Sequence, residues 1–202
     1  MSDLCSIDEA LRVLKDDLIE KPARISAHSG TPFAILRYSP TEEFLFRRKI
    51  RLLANELKQN HQISSRFISL SRFVWRSVSE TDGLEYLFKT EASYGVMDAQ
   101  QDLWNRLKPS GPLPLAHQVL EYLDSIEPKP DVVFLVRAGG LSPHIYRSSS
   151  LLGDLAEMGF ATPTLLCYPG SSVAGADLRF YDLPSDGGLG TYNYRMKIYG
   201  AR

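Results

Sequence analysis

VVFLVRA, residues 132–138, followed by Gly139-Gly140-Leu141-Ser142-Pro143, is the stretch on which the reading of the fold turns. A continuous apolar run of strand length suits a strand covered on both faces, since neither side presents polar groups to water. The glycine turn then leads into Ser142 and Pro143. Serine caps free backbone donors and proline is tolerated at the first helical position, so the pattern predicts a helix start. Leu151, Leu152, Leu155 and Met158 supply that helix with an apolar face, and Gly159 ends it. TLLCY, residues 164–168, predicts another buried strand, closed by Pro169-Gly170.

The same alternation appears upstream. FAILRY, residues 33–38, predicts a strand, and Ser39-Pro40-Thr41-Glu42 repeats the cap-then-proline start. The helix runs to about Lys58, with Phe46, Ile50, Leu53 and Leu57 as its buried stripe and Arg47, Arg48, Lys49 and Arg51 on its other faces. RFISL, residues 66–70, is a further strand, and Phe73, Val74 and Val78 suggest a helical turn after it. Residues 6–20 predict an amphipathic helix with the capping box Ser6-x-x-Glu9, ended by Pro22. Residues 79–128 contain no convincing strand and predict two or three helices. LRFYDL at 178–183 and YRMKIYG at 194–200 predict a terminal antiparallel pair. The fold class is therefore α/β, with a mainly parallel central sheet flanked by helices and a C-terminal antiparallel strand pair. One domain over 1–202 is expected, with 79–128 as a helical insertion.

Composition excludes several classes. The 202 residues are 44% hydrophobic and 23% charged, ordinary for a globular chain and unlike a disordered one. No apolar run approaches the ~18–20 residues needed to cross a bilayer. The start MSDLCSIDEALRVLK lacks a basic stretch followed by an apolar core, so a secretory signal is not expected. Cys5 and Cys167 are the only cysteines and read as two thiols in a reducing cytoplasm. They cannot build a four-sulfur zinc site, and His28, His61, His117 and His144 show no paired ligand spacing.

Catalytic signatures are missing as well. A phosphate-binding loop of the G-x-x-x-x-G-K-[ST] type needs a lysine to offset phosphate charge, and the turns after FAILRY and VVFLVRA lack it. Proline at each helix start also removes a donor that an anion would use. Gly139-Gly140 therefore reads as a tight turn. No G-x-S-x-G elbow is present. Ser142 and His144 would diverge at a helix start, and Cys167 reads as a buried strand residue. The E-x-K at Glu56-Leu57-Lys58 lies on a helix rather than on the strand a nuclease would use. No catalytic residue, metal or cofactor is implied.

Arginine and its distribution remain. Arg37 and Arg137 end candidate strands, where α/β folds place their ligand crevice. Arg147 follows within the next helix, and Arg179 and Arg195 lie on the terminal strands with Asp182 nearby. Such a set could take phosphate or a partner's carboxylates through bidentate contacts, or close the strand ends as an internal network with acids. The net charge is -1, from 23 bases and 24 acids, which argues against a general nucleic-acid binder. It is unevenly spread. Residues 1–20 hold six acids and two bases, residues 37–76 nine bases and three acids, and residues 77–105 six acids and one base. These segments either neutralise one another or offer complementary patches to partners.

The C-terminal half also resembles a known family. VVFLVRAGGLSPHIYRSSSLLGDL, TLLCYPG and LRFYDLPSDGGLGTYNYRMKI are similar to the small B component of bacterial BREX phage-defence systems, BrxB. The likeness rests on Gly140, Pro143, Arg147, Ser149, Leu151 and Leu152, then Pro169-Gly170, then Leu178-Arg179-Phe180, and finally Tyr192-Asn193-Tyr194-Arg195. ILRYSPTEEFLFRRKI resembles the family's strand and acidic helix start, with Ser39 in place of aspartate. The resemblance implies a cytoplasmic component without catalysis. It would act beside the system's large ATPase, its PglZ phosphatase-like protein and its DNA methyltransferase, with at most indirect association with DNA and none with a membrane. Its expected role is an adaptor, docking through Arg47, Arg48 and Arg51 and through the sheet end marked by Arg37, Arg147, Arg179, Asp182 and Arg195. A degenerate nucleotide-binding domain and a DNA-contacting subunit using the basic 37–76 region remain the alternatives.

Overall fold

The structure, a computed structural model, describes residues 6–26, 31–141, 145–173, 177–182 and 196–200. The chain divides into two compact units. One comprises Met1–Ile68, Pro130–Val136 and Phe160–Arg202, the other Ser69–Lys129 and Arg137–Gly159.

The first unit carries a six-stranded sheet of β1 (Phe33–Tyr38), β2 (Ser65–Ser69), β3 (Val132–Val136), β4 (Thr164–Val173), β5 (Asp177–Phe180) and β6 (Lys197–Tyr199). The order is β2-β3-β4-β1-β6, with β5 bonded to β4 off this path. The pairs β3/β4, β4/β1 and β1/β6 are parallel. Phe33 aligns with Thr164, Phe134 with Leu165, and Leu36 with Tyr199. All six residues of β1 and the first four of β3 are buried. This is the physical content of the two apolar runs: central parallel strands have no face left for water.

One sheet face forms a core with α1 (Ile7–Ile19) and α2 (Glu43–His61). Leu36, Phe134, Leu165 and Cys167 meet Leu11, Leu14 and Leu18 of α1 and Phe46, Ile50 and Leu57 of α2. Burying each large side chain contributes roughly 1.5–3 kcal/mol relative to leaving it in water. Ser6 caps α1, its hydroxyl accepting from the Glu9 amide at 3.2 Å, while the Glu9 carboxylate pairs with Arg12 at 2.7 Å. α2 is entered through a 3-10 turn, Pro40–Glu42. Here the Ser39 side chain makes no cap. It bonds the Thr41 hydroxyl at 2.8 Å, and the Ser39 carbonyl accepts from the Glu42 amide.

The second unit is helical. It holds α3 (Leu70–Ser79), α4 (Gly83–Tyr94), α5 (Val96–Leu107), α6 (Leu115–Asp124) and α7 (Ser148–Glu157), with a 3-10 turn at Ala138–Leu141. Three helices thus fall within 79–128. α3 is a full helix rather than a turn, with Leu70, Phe73, Val74, Ser77 and Val78 as its buried stripe. Within the 3-10 turn, a Cβ on Gly140 would lie 2.5 Å from the Ser71 side chain, so this glycine serves close packing. The helix start expected at Ser142-Pro143 lies outside the described residues, and α7 follows from Ser148, with Arg147 at its N-cap. Leu151, Leu152 and Leu155 are buried as expected, but Met158 falls past the helix end and is exposed. Among the described residues, no helix is long and apolar enough to cross a membrane.

The C-terminal strands correct the sequence reading. They do not pair with one another: β5 runs antiparallel to β4, and β6 runs parallel to β1. β4 does not close at Pro169-Gly170 but continues to Val173, and its second half takes up β5, with Gly170 opposite Phe180. Gly170 makes this possible. A Cβ there would sit 1.9 Å from the Arg179 carbonyl oxygen. Gly170→Ala is therefore expected to destabilise the protein by about 1–3 kcal/mol through overpacking, read as a lower urea midpoint. An unchanged midpoint would mean that β5 does not lie so close.

Candidate functional site

The C-terminal ends of the parallel strands are where α/β sheets place ligands. In the sheet unit the end of β1 carries Arg37 and Tyr38, which point to opposite faces because side chains alternate along a strand.

Arg37 is buried, with 4% of its surface exposed. Its Nη1 donates to the Gly170 carbonyl of β4 at 3.4 Å, and its Nη2 donates to the Gly200 carbonyl just past β6. A guanidinium has a rigid fork of donors, and here the fork spans both neighbours of β1. Tyr38, on the face shared with α2, donates its hydroxyl to Glu43, the first residue of α2. Arg47, one turn on, pairs with Glu43 at 2.6 Å. The Tyr38 ring stacks on Phe46 at 3.8 Å between centroids.

The phenols and the thiol here are held in their neutral forms. Burial raises the Tyr38 phenol far above its ordinary value, and the bond to Glu43 adds to this. Burial likewise raises the Cys167 thiol, with the Glu43 charge as a smaller cause, so the sulfur stays protonated and inert. Tyr168 is raised by burial and then by Asp182. Tyr181 is raised by burial and by Glu43, against a lowering by Arg47. Glu43 is thus occupied by a phenol and a guanidinium, and Arg37 by two carbonyls. Among the described residues no group of His, Cys, Asp and Glu could hold a metal ion.

The arginines singled out in the sequence do not form one described cluster. Arg37 is internal, and Arg47 is half-buried against Glu43. Arg48 and Arg51 are exposed on α2. Arg179 lies on β5 with its side chain exposed, and Asp182 is exposed two residues beyond that strand. Arg147 is exposed in the helical unit, at the start of α7. Arg195 lies outside the described residues. Of the two sequence readings, a ligand site and an internal network with acids, neither is decided for the set as a whole; Arg37 donates to two backbone carbonyls.

The family described as BREX protein BrxB matches residues 66–198. The chain belongs to the BrxB family. It is accordingly a component of a BREX phage-defence system. The matched span begins within β2 and includes every element of the helical unit, so the likeness seen earlier in ILRYSPTEEFLFRRKI falls before it. No curated protein and no solved structure matches this BrxB-family chain.

Two features escaped sequence reading. One is the Tyr38–Glu43–Arg47 chain, although Glu43 and Arg47 stand at i,i+4 helical spacing. The other is Arg106, which is buried in the helical unit and paired with Asp82 at 3.1 Å and with Asp102. Nothing in the local pattern of α5 distinguishes it from a surface arginine.

Two outcomes test this closed arrangement. Arg37→Met keeps the volume and removes the donors, and is expected to cost about 1.5–3 kcal/mol, measured by urea unfolding. In alkaline titration followed by tyrosine absorbance, Tyr38, Tyr146, Tyr168 and Tyr199 should stay protonated well above the ordinary value of 10.0. The unfolded chain loses those protons near 10 while the folded chain keeps them, so stability is present below that pH and falls as pH rises past it. Four phenols ionising near 10 without unfolding would contradict it.

Proposed function

We propose that this BrxB-family chain is a non-catalytic adaptor of the BREX complex, working in the cytoplasm and bridging larger subunits such as the PglZ phosphatase-like protein and the large ATPase. The observation that carries the reading is the outer face of α2. Phe44 is 84% and Leu52 57% exposed, and Leu45, Arg48 and Arg51 are exposed beside them. Large apolar side chains left in water and rimmed by charge are a mark of a surface made for another protein. The groups that might have done chemistry are engaged or buried: Arg37 donates to two carbonyls, Glu43 holds Tyr38 and Arg47, and Cys167 is buried.

The glycine turn after β3 supports the same reading over a phosphate-binding one, since Gly140 is packed on Ser71 rather than open to an anion. Arg48 and Arg51 are the residues assigned to partner docking on α2, with Arg147 and Arg179 as exposed candidates elsewhere. Acidic surfaces on the partner would answer them.

Pull-down and calorimetry with the purified phosphatase-like and ATPase proteins test the proposal. At low salt at least one should bind, and R48E/R51E should weaken that binding by about tenfold or more, roughly 1.4 kcal/mol. Recovery of neither protein, or hydrolysis of a nucleotide or ester abolished by a single substitution, would overturn it. Calorimetry with ATP and ADP should be flat.

A further inference from the structure

α4 stands apart among the described helices of the second unit because none of its residues is buried. It is nevertheless not a polar helix. Leu84 and Phe88 are exposed, Phe88 at 60%, and just past its C-terminal end Val96 and Met97 open α5 exposed as well. Leu84, Phe88 and Glu91 recur at i, i+4 and i+7, so they share one stripe, with Glu85 alongside. A helix that exposes such a stripe offers apolar surface to a partner.

The stripe is bordered by acids: Glu85 and Glu91 are exposed, as is Asp98 on α5, and among the described residues none of the three takes part in an ion pair, while Lys89 is the one base on α4. Its counterpart is carried by this same chain. On α2, Phe44, Arg48, Arg51 and Leu52 recur at i, i+4, i+7 and i+8, also exposed, and neither arginine is ion-paired among the described residues. Arg47 and Lys49, by contrast, are engaged by Glu43 and Asp8. One face offers leucine and phenylalanine beside carboxylates. The other offers phenylalanine and leucine beside guanidiniums. Each face is exposed, and the carboxylates of one answer the guanidiniums of the other.

We propose that the α4 stripe is a docking surface for a second copy of this chain, which presents its α2 face to it. The apolar residues exclude water at the centre, and Arg48 and Arg51 meet Glu85 and Glu91 at the rim. A contact between two different patches is heterologous, so successive copies form a closed ring or an open chain, or two copies exchange both contacts about a twofold axis. The inference deepens the adaptor reading in one respect: a copy whose α2 is taken by another copy does not offer it to a larger subunit. The association itself is measured without any subunit present, so its failure and that of the adaptor reading are separate results.

Sedimentation of the full chain over about 5–200 µM, at roughly 50 mM and 500 mM salt, reads the association directly. Mass above the monomer should rise with concentration and weaken at high salt. R48E/R51E and E85R/E91R should each raise the dissociation constant at least about tenfold, with unchanged circular dichroism. An equimolar mixture of the two should regain association, because the reversed α2 of one then faces the reversed α4 of the other. F88D should lose association without any change in rim charge pairing. A chain that stays monomeric at the highest concentration and low salt overturns the proposal and leaves the stripe to a different protein. Association that survives both charge reversals, or that the mixture fails to restore, overturns it equally.

Discussion

A single buried guanidinium ties three strands together in the sheet unit. β1 lies between β4 and β6, and Arg37 near its end reaches a carbonyl on each side, those of Gly170 and Gly200. Burying a cation is costly unless its donors are engaged, so this arrangement holds only while both neighbours keep their place. The tie is reciprocal at Gly200. Its φ is +83°, and a Cβ there would lie 2.5 Å from the Arg37 carbonyl oxygen, so only glycine permits the approach. The end of the sheet that could have formed a ligand crevice is instead where Arg37 holds the strands together.

The chemistry near that end follows from the same closure. Glu43 could have been a general base, but it accepts from Tyr38 and pairs with Arg47. Cys167 could have been a nucleophile, but burial keeps it a thiol. Arg106 repeats the theme in the helical unit, where Asp82 and Asp102 hold it. Each ionised side chain in these buried places has a partner within reach, as interior charges require. Among the described residues, α2 and α4 instead carry exposed apolar side chains flanked by charge.

Much of the architecture was legible along the chain. FAILRY, VVFLV and TLLCY declare central strands because burial on both faces leaves no room for polar alternation. Ser6 and Glu9 mark the start of α1 because free amides at a helix end need an acceptor close in sequence. The arginine reading was harder. Local pattern finds Arg37 at a strand end but cannot tell a ligand-facing side chain from one that meets carbonyls 133 and 163 positions away. Arg106 and the exposure of α4 were hidden for the same reason, since burial depends on what distant segments cover.

The amino-acid pattern by itself determined the elements that rest on neighbours in sequence: three apolar strands, the capped first helix and the helices between 79 and 128. The tertiary structure alone decided that β5 joins β4 while β6 joins β1, that Arg37 is internal while Arg48 and Arg51 are not, and that α4 keeps its apolar stripe uncovered. The physical reason is range. Capping and periodicity act within a turn or two of the chain, whereas strand pairing and burial are settled by whichever residues the fold brings alongside.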